Sequence, residues 1–246
     1  MKRDLIFVGS RQKMDMLLVC ADVLDYNILG ILDHQLWGQV DQINNVPVIG
    51  DERSLIDPDN QQAQAWLRDC LFFPANIWYG MQSAPGQLDL QALRQMRINI
   101  LEQSGAQVCN LIFPGVHTHS LESRYSSTRL GKGIYIGEMA HVCSDGVEIG
   151  DYCVIYPTAL INCGAKIGRN TIVAPQTYLH SCRIGHDCYI GLGADMRWPR
   201  ATDPDTEIEI GNNCVVWVDT KINKNVPDNC ILTHHGRILK KERFRT

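Results

Sequence analysis

Residues 149–174 read IGDYCVIYPTALINCGAKIGRNTIVA, and an aliphatic residue recurs in this stretch at every sixth position. The period extends in both directions, from Ile136 to Ile222. Outside the shortened repeat at Leu179, the residue four positions after the aliphatic one is Gly, Ala, Cys or Thr in eleven of twelve units, as in Cys153, Ala159 and Ala165. A period of six maintained over so many units indicates a solenoid rather than an ordinary globular sheet. The repeating aliphatic positions are Ile136, Val142, Ile149, Ile155, Ile161, Ile167, Val173, Leu179, Ile184, Ile190, Ile210, Val216 and Ile222.

Each six-residue unit supplies one short strand and one turn, and three units close a triangular coil whose aliphatic side chains stack inside. Backbone crowding near each corner explains the small residue, and glycine or asparagine after the aliphatic position suits a turn that visits positive φ. Each coil is buried only by its neighbours, so several are needed for stability. This hexapeptide repeat predicts a left-handed parallel β-helix over residues 116–246, an exception to the usual right-handed crossover.

Irregularities in the period mark candidate functional segments. One extra residue falls between Val142 and Ile149, and one is missing between Leu179 and Ile184, beside His180. A larger insertion, RWPRATDPDTEIE at residues 197–209, is predicted to be a loop, and long loops are often functional. The chain closes with a basic tail that contains Arg237, Lys240, Lys241, Arg243 and Arg245.

Residues 1–115 alternate strand and helix patterns. DLIFVG (4–9) reads as a buried strand, residues 12–24 as a helix, and NILGILDH (27–34) as a second strand. The alternation continues in VPVIGDERSLI, and a fourth strand is predicted in CLFFPANIWYG. An amphipathic helix is predicted in LQALRQMRINILEQSG, and the last strand in VCNLIFPG. We therefore expect a small Rossmann-like parallel sheet, although GSRQKMD after the first strand lacks GxGxxG, which leaves open an α/β domain without a nucleotide.

Composition excludes several classes of protein. The 246 residues carry a net charge of −4, which argues against a nucleic-acid-binding protein. No apolar run approaches the length of a membrane span, and no export signal is evident. The ten cysteines show no CxxC pair or zinc-ligand spacing, so we expect free thiols in the cytoplasm and no metal.

The motifs together resemble the bacterial sialic-acid O-acetyltransferase and UDP-4-amino-sugar N-acetyltransferase family, along nearly the whole chain. NILGILDHQLWGQVDQINNVPVIGDERSL, NLIFPG and INCGAKIGRNTIV are similar to that family's segments. The resemblance implies an acyl-CoA-dependent transferase, with acetyl-CoA as co-substrate, that acts on a nucleotide-diphosphate amino sugar in surface-polysaccharide biosynthesis. It also implies a homotrimer that binds the cofactor between adjacent β-helices.

The resemblance also assigns candidate site residues. In LHSCRIGHDCYIGLGA (179–194), His180 matches the family's general base, and His186 with Asp187 is the alternative pair. The substrate-binding candidates are Gly9, Arg11, Lys13, Asp33 and His34. The cofactor-binding candidates are Tyr189, Gly193, Ala194, Val218 and His234.

Several positions depart from the family pattern and keep other functions open. Ser181 stands where the family has an acid, and Ala174 where it has an asparagine. These changes favour, as an alternative, a catalytically decayed scaffold or a nucleotide-sugar-binding protein. A metal-dependent hydratase of the γ-carbonic-anhydrase type would need three histidines to converge, but His141, His180 and His186 occupy different phases of the repeat.

Overall fold

A computed structural model describes residues 2–10, 14–75, 90–116, 126–196 and 207–241. The chain divides into two compact units, Met1–Leu111 and Ile112–Thr246, close to the boundary predicted at residues 115 and 116. Within the described ranges, no helix has both the length and the apolar character required to cross a bilayer.

The first unit is a five-stranded sheet with helices, in the strand order β3-β4-β2-β1-β5. Its strands are β1 (Arg3–Val8), β2 (Tyr26–Leu32), β3 (Gln42–Ile43), β4 (Val46–Gly50) and β5 (Leu71–Pro74). Its helices are α1 (Asp15–Val23), α2 (Gln61–Asp69), α3 (Leu90–Gln103) and a 3₁₀ turn, Glu52–Ile56. All pairings are parallel except the β3–β4 hairpin, whose turn residues Asn44 and Asn45 have φ of 50° and 62°. The carboxyl ends of β1, β2 and β4 therefore lie at one edge, where ligands of parallel sheets bind.

Two details of the first unit differ from the sequence-based expectation. Helix α2 was not predicted, although Asn60 caps it by accepting a hydrogen bond from the Ala63 backbone N–H at 3.0 Å. The segment VCNLIFPG is not a single strand, because its two halves pair with different sheets. Val108 forms a parallel bridge with Phe72, whereas Leu111–Ile112 belongs to a sheet of the second unit.

The second unit is a parallel β-helix, as the repeat predicts. The chain passes in turn through three parallel sheets, which we name the first, second and third faces. The first face contains Arg129–Leu130, Glu148–Ile149, Lys166–Ile167, Cys182–Ile184 and Ile208–Ile210. The second contains Leu111–Ile112, Tyr135–Ile136, Val154–Ile155, Ile172–Val173, Tyr189–Ile190, Val215–Val216, Cys230–Leu232 and the antiparallel Ile238–Lys240. The third contains His141–Val142, Leu160–Ile161, Tyr178–Leu179 and Asp195–Met196.

Strand register confirms the irregularities seen in the sequence. On the first face Ile149 pairs with Ile167, eighteen residues later, but Ile167 pairs with Ile184, seventeen residues later. Leu130 pairs with Ile149, nineteen residues later. The extra and missing residues are thus absorbed in the corners between the third and first faces. The aliphatic side chains form one buried core, as the repeat predicts.

The glycine that follows many aliphatic positions has a different role from the one expected. The prediction of positive φ at this position is wrong: the left-handed residues lie two positions later, at Tyr152, Asn170 and Asp187 among others. Glycine is needed instead because the next coil is close. A Cβ on Gly168 would lie 2.6 Å from the carbonyl carbon of Gly185.

The small residue of the repeat also makes a specific contact. The thiol of Cys153 donates to the Gly168 carbonyl at 3.1 Å, and the hydroxyl of Thr171 donates to the Gly185 carbonyl at 2.9 Å. Cysteine and threonine therefore donate hydrogen bonds to corner carbonyls of the next coil, which a purely apolar side chain could not do.

Candidate functional site

His180 lies at the shortened corner between the third and first faces. It follows Tyr178–Leu179 directly, and only Ser181 separates it from Cys182–Ile184. The side chain is half-buried and its Nδ1 atom is buried. This corner has two residues between its strands, whereas the same corner of the preceding coil has four, residues 162–165, so the backbone passes from the third face to the first within a minimal turn.

The preceding coil supports this corner by hydrogen bonds. The Ser181 backbone, at φ 42°, donates its N–H to the Cys163 carbonyl at 3.0 Å, and the Ser181 hydroxyl donates to the same oxygen at 3.4 Å. The Asn162 side-chain amide donates to the Tyr178 hydroxyl at 2.9 Å. Asn162 and Tyr178 were not singled out from the sequence. The signal for Asn162 was available, because it is a polar residue that follows Ile161 just as His180 follows Leu179 one coil later.

Ser181 cannot replace the missing acid of the resembled family. Its hydroxyl is directed to the Cys163 carbonyl, and a neutral hydroxyl gives no charge that favours an imidazolium. The backbone of Ser181 is left-handed, a conformation that aspartate tolerates better than most residues. An acid could therefore be reintroduced at this position as aspartate.

His186 and Asp187 form a separate polar network at the next corner of the same coil. His186 Nδ1 lies 2.6 Å from Asp187 Oδ2, and Asp187 Oδ1 accepts a hydrogen bond from the Asn170 side-chain amide at 2.7 Å. The His186 side chain is 51% exposed. The carboxylate orients the imidazole and the amide orients the carboxylate, which is the arrangement of a base held by a second group.

The three histidines considered for a metal site lie at different places in the β-helix. His141 is on a strand of the third face, His180 is at the corner after that face, and His186 is at the corner after the first face. Among the described residues, one group of three potential metal ligands has its ligand atoms within 4.8 Å of one another. It consists of Asp33, His34 and Glu52, in the first unit.

The candidate cofactor residues lie mainly on the second face and the corner that follows it. Tyr189 is half-buried on the second face, and burial raises the pKa of its phenol. Gly193 has φ 68° at the corner, and Val218, at the same corner of the next coil, is exposed. Ala194 is fully buried in the core, so its side chain faces the inside of the β-helix.

His234 belongs to an exposed ring stack near the end of the β-helix. The centroid of its ring lies 5.8 Å from the Trp217 ring centroid, with an interplanar angle of 20°, and 3.8 Å from the His235 ring centroid. Trp217 was not predicted from the sequence, although a tryptophan directly after a repeat strand is an unusual corner residue. Stacked, solvent-accessible rings offer a surface on which a planar heterocycle can stack.

The candidate substrate residues of the first unit surround a buried ion-pair network. Asp33, at the end of β2, accepts hydrogen bonds from the backbone N–H groups of Ser10 and Gln35, both at 2.9 Å. Arg97 of α3 lies 3.0 Å from Asp33 and 2.8 Å from Glu52. These three charged groups are each at most 1% exposed. Asp33 thus holds the turn after β1 in place. Arg97 contacts both carboxylates, so its single positive charge already offsets part of the negative charge that could otherwise bind a cation.

His34 is the member of this network that reaches solvent. Its Nδ1 lies 2.7 Å from Glu52 Oε1, and its side chain is 21% exposed. Gly9, at φ 81°, follows β1 and donates its N–H to the Leu32 carbonyl at 2.7 Å. The other two substrate candidates, Arg11 and Lys13, lie outside the described residues.

Comparisons with known proteins agree with this architecture. The model of the bacterial transferase hexapeptide family, described as six repeats, matches residues 146–180. The bifunctional protein GlmU of Streptococcus agalactiae, in serotypes V and III, is 26% identical over 137 residues. That alignment covers 47% of this chain and 28% of the GlmU protein, so the chain spans just over a quarter of these curated relatives.

Solved structures match the chain along almost its whole length. PerB from Caulobacter crescentus, crystallised with CoA and GDP-perosamine, has a TM-score of 0.70 at 18% identity and covers 96% of this chain and 97% of that one. The acetyltransferase domain of PglB from Neisseria gonorrhoeae FA1090 has a TM-score of 0.71 at 18% identity, covering 94% and 97%. WeeI from Acinetobacter baumannii AYE has a TM-score of 0.62 at 18% identity, covering 97% and 100%. These findings confirm, for the repeat and the fold, the predicted resemblance to hexapeptide-repeat acyltransferases that carry an N-terminal domain.

Proposed function

We propose that this chain is an acyl-CoA-dependent transferase that acetylates a nucleotide-linked amino sugar, with His180 as the general base. The observation that carries the proposal is the position of His180 at the shortened corner of a β-helix whose fold matches PerB along nearly its full length. PerB was crystallised with CoA and GDP-perosamine, which are the two ligand classes that this function requires. In this proposal the β-helix is left-handed and the first unit is Rossmann-like.

The chemical step needs one proton acceptor and one acyl donor. Neutral His180 takes the proton from the sugar amine or hydroxyl as that group attacks the thioester carbonyl. The new C–N or C–O bond forms as the carbonyl becomes an oxyanion, which a backbone N–H of a neighbouring coil stabilises. Collapse of this intermediate breaks the C–S bond, and the imidazolium returns its proton to the departing CoA thiolate.

The two substrates would bind at separate places in the chain. The sugar nucleotide contacts the first unit at Gly9, His34, Arg11 and Lys13, while Asp33 positions the turn after β1. The buried Arg97 fixes Asp33 and Glu52, and Glu52 fixes the ring of His34. This network gives a rigid platform for a ligand, which reduces the entropy lost on binding.

Acetyl-CoA would lie along the corner that follows the second face, in contact with Tyr189, Gly193, Val218 and His234 and with the backbone at Ala194. The exposed ring of His234 is stacked on Trp217, and Lys224, which donates to the Gly236 carbonyl at 2.9 Å, brings a cation to the same end of the β-helix. Rings and a cation together suit the adenine and phosphates of CoA. We also propose a homotrimer with the cofactor cleft between subunits, for which light scattering should report three times the 27.7 kDa chain mass.

His186 is the competing base, because it already has an acidic partner. Its 2.6 Å contact with Asp187 gives its ring a fixed orientation beside a carboxylate. The two histidines are separated by the strand Cys182–Ile184 and so cannot act as one dyad. Substitution of each histidine singly therefore distinguishes the two assignments.

A catalytically decayed scaffold or sugar-nucleotide-binding protein is the second candidate function. It is favoured by one observation, the use of the Ser181 hydroxyl in a structural hydrogen bond where the resembled family has an acid. Ser181→Asp should increase turnover if His180 is an active base, because a carboxylate beside the imidazole favours its protonated form and raises its basicity. It should have no effect in a binding protein.

The test is thioester cleavage that depends on the acceptor. The full chain is incubated with acetyl-CoA and, separately, UDP-, GDP- and dTDP-linked amino sugars, and release of free CoA thiol is followed. Acyl transfer predicts that free CoA thiol is released with at least one amino-sugar nucleotide. It predicts no release when the amine of that sugar is already acetylated and its hydroxyl groups are blocked. Binding of a sugar nucleotide without release with any acceptor would favour the binding protein.

A further inference from the structure

Two cysteines lie side by side at the corner between the third and first faces. Cys143 follows His141–Val142, and Cys163 lies two residues after Leu160–Ile161 in the next coil. Their Sγ atoms are 2.7 Å apart. Both side chains are half-buried, so small molecules can reach them. The other cysteines of the β-helix are buried, namely Cys153, Cys182, Cys188, Cys214 and Cys230.

The repeat geometry is compatible with a bond between the two sulfurs. Val142 pairs with Ile161 on the third face, so Cys143 lies opposite Asn162 and one residue from Cys163. Neighbouring strands are about 4.8 Å apart and one residue advances about 3.3 Å along a strand, so Cα atoms in this diagonal relation would be about 5.8 Å apart, within the range of roughly 4.4–6.8 Å found for disulfides. The observed gap between the sulfurs exceeds the disulfide bond length of about 2.05 Å by about 0.7 Å.

We propose that Cys143 and Cys163 form a reversible disulfide, and that this corner is a site of thiol–disulfide exchange with a low-molecular-weight disulfide. The Cys143 thiolate attacks one sulfur of the small disulfide, forms a mixed disulfide and releases one small thiolate. The Cys163 thiolate then attacks the Cys143 sulfur, closes the protein disulfide and releases the second small thiolate. The two protein thiols lose two protons and two electrons, and the small disulfide is reduced to two thiols.

The order of attack follows from the surroundings of Cys163. The hydrogen bond with Cys143, together with burial, raises the pKa of the Cys163 thiol. Cys163 is therefore the poorer first nucleophile at neutral pH, and Cys143 is assigned the first step. Once Cys143 carries the small thiol, that hydrogen bond is lost and Cys163 completes the exchange.

The disulfide would be joined to the corner that holds His180. The Cys163 carbonyl accepts both hydrogen bonds of Ser181, the residue after His180. A bond to Cys143 therefore restrains the turn on which that corner rests. This thiol–disulfide exchange is separate from acyl transfer, and its products are measured without turnover.

The experiment uses the full chain in buffers of reduced and oxidised glutathione, followed by alkylation of free thiols and mass spectrometry. Trypsin alone leaves residues 133–166 as one peptide, because no lysine or arginine lies between Lys132 and Lys166. Additional cleavage after glutamate separates 139–148, which contains Cys143, from 149–166, which contains Cys153 and Cys163. Fragment ions then distinguish Cys153 from Cys163.

The expected result is a chain lighter by two hydrogen atoms, with peptides 139–148 and 149–166 joined through Cys143 and Cys163, and full reversal by dithiothreitol. Cys163→Ser should stop at glutathione attached to Cys143. Cys109→Ser, which removes a half-buried thiol of the first unit, should form the same link as the wild type. The proposal is overturned if Cys143 and Cys163 both stay free at every glutathione ratio, or if both carry glutathione without a link between them.

Discussion

Removal of the Arg97 guanidinium should strongly destabilise the first unit. Arg97 lies 3.0 Å from Asp33 and 2.8 Å from Glu52, and all three groups are shielded from water. Arg97→Met retains most of the apolar stem but leaves two buried carboxylates without their shared cation. Breaking a buried ion pair by removing one partner costs about 3–5 kcal/mol.

The expected loss lies toward the lower end of that range. Asp33 keeps its hydrogen bonds from the Ser10 and Gln35 backbones, and Glu52 keeps its contact with His34. A loss of about 3 kcal/mol is nevertheless a large fraction of the roughly 5–15 kcal/mol by which domains are stable. Arg53→Met is the matched control, because Arg53 pairs with Asp51 on the surface and should change the free energy of unfolding far less.

Urea unfolding, monitored through the helical circular-dichroism signal, measures the change in the free energy of unfolding. Among the described residues all α-helices lie in the first unit, so this signal follows its unfolding. Combining Arg97→Met with Asp33→Asn and Glu52→Gln should recover part of the loss, since no charge is then left buried without a partner. If Arg97→Met costs no more than Arg53→Met, the reasoning about a buried network is refuted.

Three further predictions concern the repeat, the cysteine pair and the first unit. Gly168→Ala should lower stability by about 1–3 kcal/mol, because its Cβ would lie 2.6 Å from the Gly185 backbone; an unchanged denaturation midpoint would contradict the close-approach argument. The rate of the Cys143–Cys163 link should rise by about tenfold per pH unit below the thiol pKa values, as the thiolate fraction grows; a pH-independent rate would exclude thiolate attack. A bound nucleotide diphosphate at about 100 times its Kd should stabilise the first unit by about 2.7 kcal/mol, and calorimetry showing no heat with UDP, GDP or dTDP would exclude the site at Gly9 and His34.

The β-helix was predictable because its information is local and repeated. Each six-residue unit carries the same aliphatic and small positions, and one residue more or fewer, as beside His180, displaces the register visibly. The role of the glycine after the aliphatic position was not predictable from one unit alone. Its cause is the backbone of the next coil, which is 17 residues away in sequence at Gly168 and 26 residues away at Gly185.

The polar networks of the site were less accessible to sequence analysis. Arg97 reaches Glu52 across 45 residues and Asp33 across more, and nothing in α3 separates Arg97 from a solvated arginine of an amphipathic helix. The motif resemblance proposed Asp33 and His34 as candidates but did not predict that Asp33 would be buried against Ser10. The Cys143–Cys163 contact likewise depends on the extra residue in one corner and on the diagonal pairing of two coils.

The measurement that tests the central assignment most directly is CoA release by wild type, His180→Asn and His186→Asn with a competent amino-sugar nucleotide, together with acetyl-CoA affinity for each. Loss of a general base should lower turnover by about 10²–10⁴-fold in His180→Asn, with acetyl-CoA affinity little changed because most of the ligand binds elsewhere. His186→Asn should retain most of the wild-type rate. Full turnover in His180→Asn, with the loss in His186→Asn instead, would contradict the account and assign the base to the pair His186 and Asp187.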